Sequence, residues 1–237
     1  MKIKGLRWMA TFLAACMLMG AVPATAFAAK DAGTPPTYNS ATGCYEISTP
    51  AQLLYLAGKW KDGAPRDGHY VLTADIDMTG VKGFKPIASK KAEGFTGTFD
   101  GQFHSIKGLR VEYEKKYAGL FGYVGNQNDQ AYIKNVALLD CYVTGQQNVG
   151  ALAGVNYGTI TGCVVTGEVK CLDLSNSHTA GGICGKLKEG EGPIVGHVED
   201  CYINADVSAP YDAGGVAGIQ DGGGYLARCF AAGTVDT

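Results

Sequence analysis

The sequence has little with which to do metal or nucleic-acid chemistry. Its histidines number only four. His69, His104, His178 and His197 are scattered singly, with neither the H-E-x-x-H nor the C-x-x-C spacing that gathers zinc ligands. Positive charge is not in surplus: 20 Lys and Arg stand against 22 Asp and Glu, a formal net charge of -2. That sign argues against nucleic acid as a main partner. The 35 glycines lack the every-third-residue period of collagen, and 46% hydrophobic residues is far from a disordered composition. The Leu-x-x-Leu-x-Leu frame of leucine-rich repeats is missing too. A Gly-rich chain with ample apolar material remains, and it points to many tight turns between short strands.

What is present begins with a removable segment. Lys2, Lys4 and Arg7 precede an uncharged run that starts at Trp8, and Pro23 stands before small-residue sites at 24–26 and 26–28, the pattern of a signal peptide cleaved after Ala28. The run is long enough to span a bilayer, but the proline and the cleavage sites speak for removal rather than for an uncleaved anchor. Leu13-Ala14-Ala15-Cys16 has the look of a lipid-attachment site, yet apolar residues continue beyond Cys16 where a mature lipoprotein turns polar. Removal of residues 1–28 takes away three cations and no acid, which leaves 17 Lys and Arg against 22 Asp and Glu and a formal charge of -5. No transmembrane span is expected in the mature chain.

Residues 29–43 carry turn formers without periodicity and read as a leader. Residues 44–111 form an amino-terminal cap and first coils. Within them Thr49-Pro50-Ala51-Gln52 sets a helix start, with a capping Thr, a proline at the first helical position and a Gln three residues after the cap. Leu53, Leu54, Leu56 and Ala57 give that short helix an apolar face suited to closing a stack of strands.

Residues 112–237 are the repeat region, although its first landmark begins earlier. Ile106-Lys107-Gly108-Leu109, Ile133-Lys134-Asn135-Val136, Ile160-Thr161-Gly162-Cys163, Val198-Glu199-Asp200-Cys201 and Leu226-Ala227-Arg228-Cys229 share one pattern, at spacings of 27, 27, 38 and 28. A second landmark ends in Gly122, Gly154, Gly185 and Gly218, with Gly101 as its expected first member. Each repeat supplies runs of strand-like residues too short to make a sheet alone. Stacked coil on coil at about 4.8 Å, they satisfy their backbones and bury a continuous interior. The expected fold is therefore all-β, a parallel β-helix. In Ala213-Gly214-Gly215-Val216-Ala217-Gly218 the valine is expected to point inward and the glycines to allow a tight corner.

The phrase [AV]-G-x-[LIV]-x-G, the strand after it and the turns at Val165–Val169 and Ala232–Val235 resemble the GLUG motif of secreted bacterial proteins. ISTPAQLLYLAG, YVLTADIDM, KPIA and FTGTFDGQFHSIKGLRV are similar to the lead-in such proteins place before their repeats. The likeness spans about residues 44–237. Its departures are a shortened first phrase, Ala118-Gly119-Leu120-Phe121-Gly122, and an insertion between Gly167 and Val198. The resemblance implies a right-handed β-helix on secreted or cell-surface bacterial proteins, with adhesin-like binding or a scaffolding role in the envelope. It carries no catalytic residues over to this chain, and no cofactor.

The residues themselves supply few candidates for chemistry. Asp75 and Asp77 form a D-x-D on one strand face, which could hold a cation or flank a sugar but also suits a polar outer face. Asp100, His104 and Arg110 come nearest to the acid clusters of carbohydrate-active β-helix enzymes, of the polysaccharide lyase or glycoside hydrolase type, and no further acids stack with them. The expectation is a non-enzyme without a metal site, with such an enzyme as the alternative. Seven cysteines remain after residue 28, an odd number. Cys163, Cys201 and Cys229 share one repeat position, as interior hydrophobes in reduced form. Tyr113, Tyr117, Tyr157, Tyr211 and Tyr225 lie in or beside corners and are the candidate ligand-binding set, for a glycan or a host or envelope protein. The chain stops inside a repeat at Cys229–Thr237, so its last edge is expected to meet a continuation of the same polypeptide or a capping partner.

Overall fold

The computed structural model describes residues 33–58, 64–174 and 178–237. The segment 1–28, read as a signal peptide, lies outside the described residues. The fold depends on a corner that the sequence writes five times. The third residue of each repeated tetrad takes a left-handed backbone: Gly108 at φ 66°, Asn135 at 54°, Gly162 at 62°, Asp200 at 53° and Arg228 at 49°. In an unbroken strand, residues three apart face opposite ways. The left-handed residue turns the chain between them, so both ends of the tetrad point inward. Ile106, Ile133, Ile160 and Val198 are fully buried, and so are Leu109, Val136, Cys163 and Cys201.

Around these corners the chain winds coil by coil. The amino-terminal part contributes β1 (Thr37–Asn39), β2 (Cys44–Ile47), helix α1 (Pro50–Gly58), β3 (His69–Leu72) and β4 (Ile76–Asp77). The next coil holds β5 (Thr98–Asp100), β6 (Ser105–Lys107), β7 (Arg110–Ala118) and β8 (Phe121–Val124). Then come β9 (Tyr132–Lys134), β10 (Ala137–Gly150) and β11 (Ala153–Asn156). The coil after that has β12 (Thr159–Thr161), β13 (Val164–Cys171), β14 (Thr179–Gly181) and β15 (Cys184–Lys188). It is followed by β16 (His197–Glu199), β17 (Tyr202–Ser208), β18 (Asp212–Gly214) and β19 (Ala217–Asp221), and last by β20 (Tyr225–Ala227), β21 (Phe230–Ala232) and β22 (Val235–Asp236).

The strands collect into three sheets. The first runs β1-β2-β3-β5-β9-β12-β16-β20, the second is centred on β10, β13 and β17, and the third runs β19-β15-β11-β8. Among the described residues every pair of named strands is parallel except β1 with β2. The result is a parallel β-solenoid of about five turns with one short helix, as the repeats require.

Register lines the interior up in ladders. In the first sheet Tyr70 pairs with Phe99, Phe99 with Ile133, Ile133 with Ile160, Ile160 with Val198 and Val198 with Leu226. In the second, Val111, Val143, Val169, Val207 and Val235 stand one above another. β-Branched side chains suit such a ladder because they pack on the pleat with little loss of rotamer freedom.

Helix α1 starts as expected, with one difference. The Gln52 amide donates to Thr49 Oγ1 at 3.3 Å, while the Gln52 side-chain oxygen accepts from the backbone of Ser48 at 2.8 Å, one residue beyond the cap. Leu53 and Leu56 enter the core. Two further expectations are refined. Val216 is half-buried and packs against the core. Gly101 does not open the second glycine series. It ends the loop side of β5, whereas Ile87 bridges to Phe121, so Ala88 precedes Gly122 in that series. Gly122, Gly154, Gly185 and Gly218 do align, through the pairings of their neighbours.

At Gly218 the requirement is space. A Cβ there would lie 2.7 Å from the carbonyl oxygen of Ala180 and 2.8 Å from that of Gly185, both fixed backbone atoms of the coil below. The cysteines of the described chain are all free thiols. The Sγ–H of Cys163, Cys201 and Cys229 each donates to the carbonyl two residues earlier, at 3.3, 3.2 and 3.3 Å, so one side-chain conformation is stacked three times. Burial pushes the Cys141 and Cys184 thiols up to about 12, which keeps them protonated and unreactive.

Three outcomes follow from this architecture. Val136→Asp and Cys201→Asp each place an uncompensated charge in a fully buried ladder and should cost roughly 3–5 kcal/mol in urea unfolding; wild-type stability in either would show that the position faces out. Gly218→Val forces backbone of two coils apart and should cost about 2–3 kcal/mol, with an unchanged melting temperature ruling out the close approach. Both Asn135→Val and Asn135→Gly remove the hydrogen bond to Asp100, but Asn135→Val should lose about 1–2 kcal/mol more, through the left-handed backbone that glycine accepts. Equal losses in the two Asn135 variants would mean that the backbone angle is not the cause.

Candidate functional site

One recess on the outer surface is built by three successive coils. Register in the second sheet sets Glu112, Thr144 and Lys170 abreast, with Tyr113, Gly145 and Cys171 next to them. The floor is the middle of β10, with Tyr142, Thr144, Gly145 and Gln146. One wall comes from β7 of the preceding coil, as Glu112, Tyr113 and Glu114. The other comes from the following coil, where Leu172, Asp173 and Leu174 leave β13. Together they enclose a groove of about 620 Å³.

The second wall is a product of the insertion between Gly167 and Val198. β10 runs unbroken from Ala137 to Gly150, but the next coil divides the same path into β13 and β14 and sends the chain outward after Cys171. A second excursion follows β15, before His197. The irregular spacing of 38 thus becomes two loops, and the first of them makes the groove.

The electrostatics are one-sided. Three carboxylates line the groove, and among the described residues that line it there is no Lys or Arg. Glu112 accepts from the Arg110 guanidinium at 2.8 Å, and that bond holds its carboxyl below the ordinary range. Arg110 does not line the recess but borders it, 4.2 Å above the ring of the floor residue Tyr142. His178 lies between wall and floor. It is buried, its Nδ1 is 3.1 Å from the carbonyl of Gln146, and its Nε2 is 3.7 Å from Asp173. A carbonyl only accepts, so Nδ1 carries the hydrogen of that contact. Apolar surface is offered alongside: Leu172 is 59% exposed and Leu174 is 82% exposed.

The five tyrosines singled out in the sequence are not brought together. Tyr113 lines the groove and packs its inner side on the core. Tyr117 and Tyr157 belong to a separate cluster with Tyr123, Val155 and Ile194, in which Tyr157 is only 3% exposed and Tyr117 stands 4.7 Å from Tyr123. Tyr211 and Tyr225 are exposed near the last coil, with the Tyr225 ring tilted against His197 at 5.3 Å between centroids. Tyr142 and the two leucines were not singled out. The signal for the leucines was available, as an apolar-acid-apolar run inside an insertion.

The acids flagged in the sequence are engaged in turns. Asp75 accepts from the Ser105 amide at 2.7 Å and from its hydroxyl at 3.0 Å, with His104 Nδ1 3.5 Å away. Asp77 caps the turn at Thr79, and those bonds lower its pKa. Asp100 accepts from the Gln102 amide and from Asn135 and pairs with Lys134 at 3.2 Å. Asp100, His104 and Arg110 therefore have three different partners and make no common site. Among the described residues no group of three potential metal ligands is found, and no helix is long and apolar enough to cross a membrane.

Fold and recess together define a class, a parallel β-solenoid with a lateral acidic-aromatic groove. No family model matches the sequence. Over about half its length the chain is similar to halomucin of Haloquadratum walsbyi, 33% identical over 142 residues, which takes in 54% of this chain and 2% of that protein. A stretch of 125 residues is 33% identical to a protein of Evansella cellulosilytica provisionally named a Gly-rich membrane protein, covering 49% of this chain and 14% of the other. The chain thus spans a small fraction of the curated relatives it matches. Among solved structures it resembles a Bacteroides ovatus protein provisionally named an immunoglobulin A1 protease, at a TM-score of 0.66 and 26% identity over 81% of this chain and 58% of that one.

Proposed function

We propose that the chain is a GLUG-type β-solenoid module of a secreted or cell-surface bacterial protein, and that it binds a ligand in its lateral groove without chemical turnover, in an adhesin-like role. The observation that carries this is the groove itself, built by three coils and bounded by a loop that departs from the repeat. Extra chain that breaks a repeat goes to a surface loop, and loops on a rigid scaffold are where solenoids and other folds place their contacts. An outer location is supported by relatives named as a halomucin and a membrane protein.

A carbohydrate-active enzyme is the second reading, favoured by the three groove carboxylates and accompanied by the protease name of the structural neighbour. Such an enzyme needs a carboxylic acid still protonated near neutral pH. Glu112 is moved the opposite way by Arg110, which weighs against it in that role.

The test is an array of glycans and matrix proteins probed with the wild-type chain and with a Tyr113→Ala/Leu174→Ser variant. Binding to at least one target should fall about tenfold or more in the variant, the scale of losing a contact anchor, with unchanged melting. Equal binding by both proteins would remove the groove from the function. Release of reducing ends or unsaturated products from a polysaccharide, abolished by Glu112→Gln, would establish the enzyme instead.

A further inference from the structure

We propose that the ligand of the groove is a cationic segment of extended peptide, with Lys or Arg side chains whose charged ends meet Glu114 and Asp173 and whose stems lie on Tyr113, Leu172 and Leu174. The proposal rests on the groove being a binding site, as above, and names what it takes.

Charge complementarity decides the sign. The recess is lined by three carboxylates and no Lys or Arg among its described residues, in a chain that is acidic overall once residues 1–28 are set aside. Glu112 accepts from the Arg110 guanidinium, which stands on the rim side. An acidic polysaccharide or a phosphate-bearing ligand would meet this negative lining, in which Arg110 offsets the charge of Glu112.

Shape and apolar surface decide the class. The wall strands lie on either side of β10, roughly 9.6 Å apart axis to axis at about 4.8 Å per coil, so an extended chain laid over β10 matches the width of the one strand between them. A neutral sugar would stack on the tyrosine rings but would make no use of two leucines as exposed as Leu172 and Leu174. A lysine or arginine uses all of it: its methylenes cover apolar surface, its cation reaches outward to a carboxylate, and a nearby ring face adds attraction. His178 Nδ1 donates to the Gln146 carbonyl and its Nε2 lies 3.7 Å from Asp173, so the imidazole is packed between wall and floor.

The experiment uses the full chain and three probes followed by fluorescence anisotropy: the labelled hexapeptide KLSKLS, its counterpart ELSELS, and labelled N-acetylchitohexaose. KLSKLS should bind, with affinity falling several-fold between about 50 and 500 mM salt as the charges are screened, and ELSELS should not. Glu114→Lys should weaken KLSKLS by about tenfold or more and Leu174→Ser by several-fold. Asp212→Lys, the same charge change at an exposed site in β18, should leave it unchanged, which separates the groove from the overall charge. Binding of both peptides alike, or an equal loss in Asp212→Lys and Glu114→Lys, overturns the proposal. If only the oligosaccharide binds, and Leu174→Ser or Tyr113→Ala weakens it, the ligand class is wrong while the groove remains a site. If no probe binds and the array targets ignore the groove variants, both fail.

Discussion

The parallel hydrogen bonding between coils is the constraint from which the rest of this molecule follows. Apart from the antiparallel β1–β2 pair, the named strands of a coil do not pair with one another, because the corners turn the chain away; each pairs with its equivalent one coil earlier or later. Side chains in register are then forced into ladders, and an interior of stacked Ile, Val, Phe and Cys results. Atoms that sit between coils have no freedom to move aside. Positions such as Gly218 are therefore small because of the backbone above and below them, and the left-handed corner at Asn135, Asp200 and Arg228 recurs because both of its flanking residues must face inward.

The same constraint explains why the surface is polar and largely spoken for. Asp75, Asp77, Asp100 and Asp206 each accept hydrogen bonds from turn amides. Arg228 holds its left-handed corner between Asp200 and Glu199. Acids at the corners serve the winding of the chain. Where the winding is interrupted after Cys171, a wall stands away from the sheet and leaves carboxylates, rings and leucines facing a common space.

Much of the fold was legible in the sequence for this reason. Stacking imposes one residue type on one position in every coil, so Ile133, Ile160 and Val198, or Cys163 and Cys201, announce their burial by recurring. The helix start at Thr49 was equally local. The groove was not legible in the same way, since it depends on residues from three coils that are distant in sequence and do not repeat. Of the five tyrosines chosen for lying near corners, Tyr113 reaches the groove, whereas Tyr157 is buried in the separate cluster with Tyr123 and Val155. Nearness to a corner does not fix which side of the sheet a ring occupies. Gly101 misled for a related reason: it resembles the glycine series in type, but coil register places Ala88 ahead of Gly122.

The alignment of all inter-coil hydrogen bonds along one axis also has a mechanical meaning. Tension applied along that axis pulls on the bonds lengthwise, and the coils separate in succession, each by opening a short row of contacts. Tension across the axis must shear every row of a sheet at once. A solenoid is thus compliant in one direction and stiff in the other.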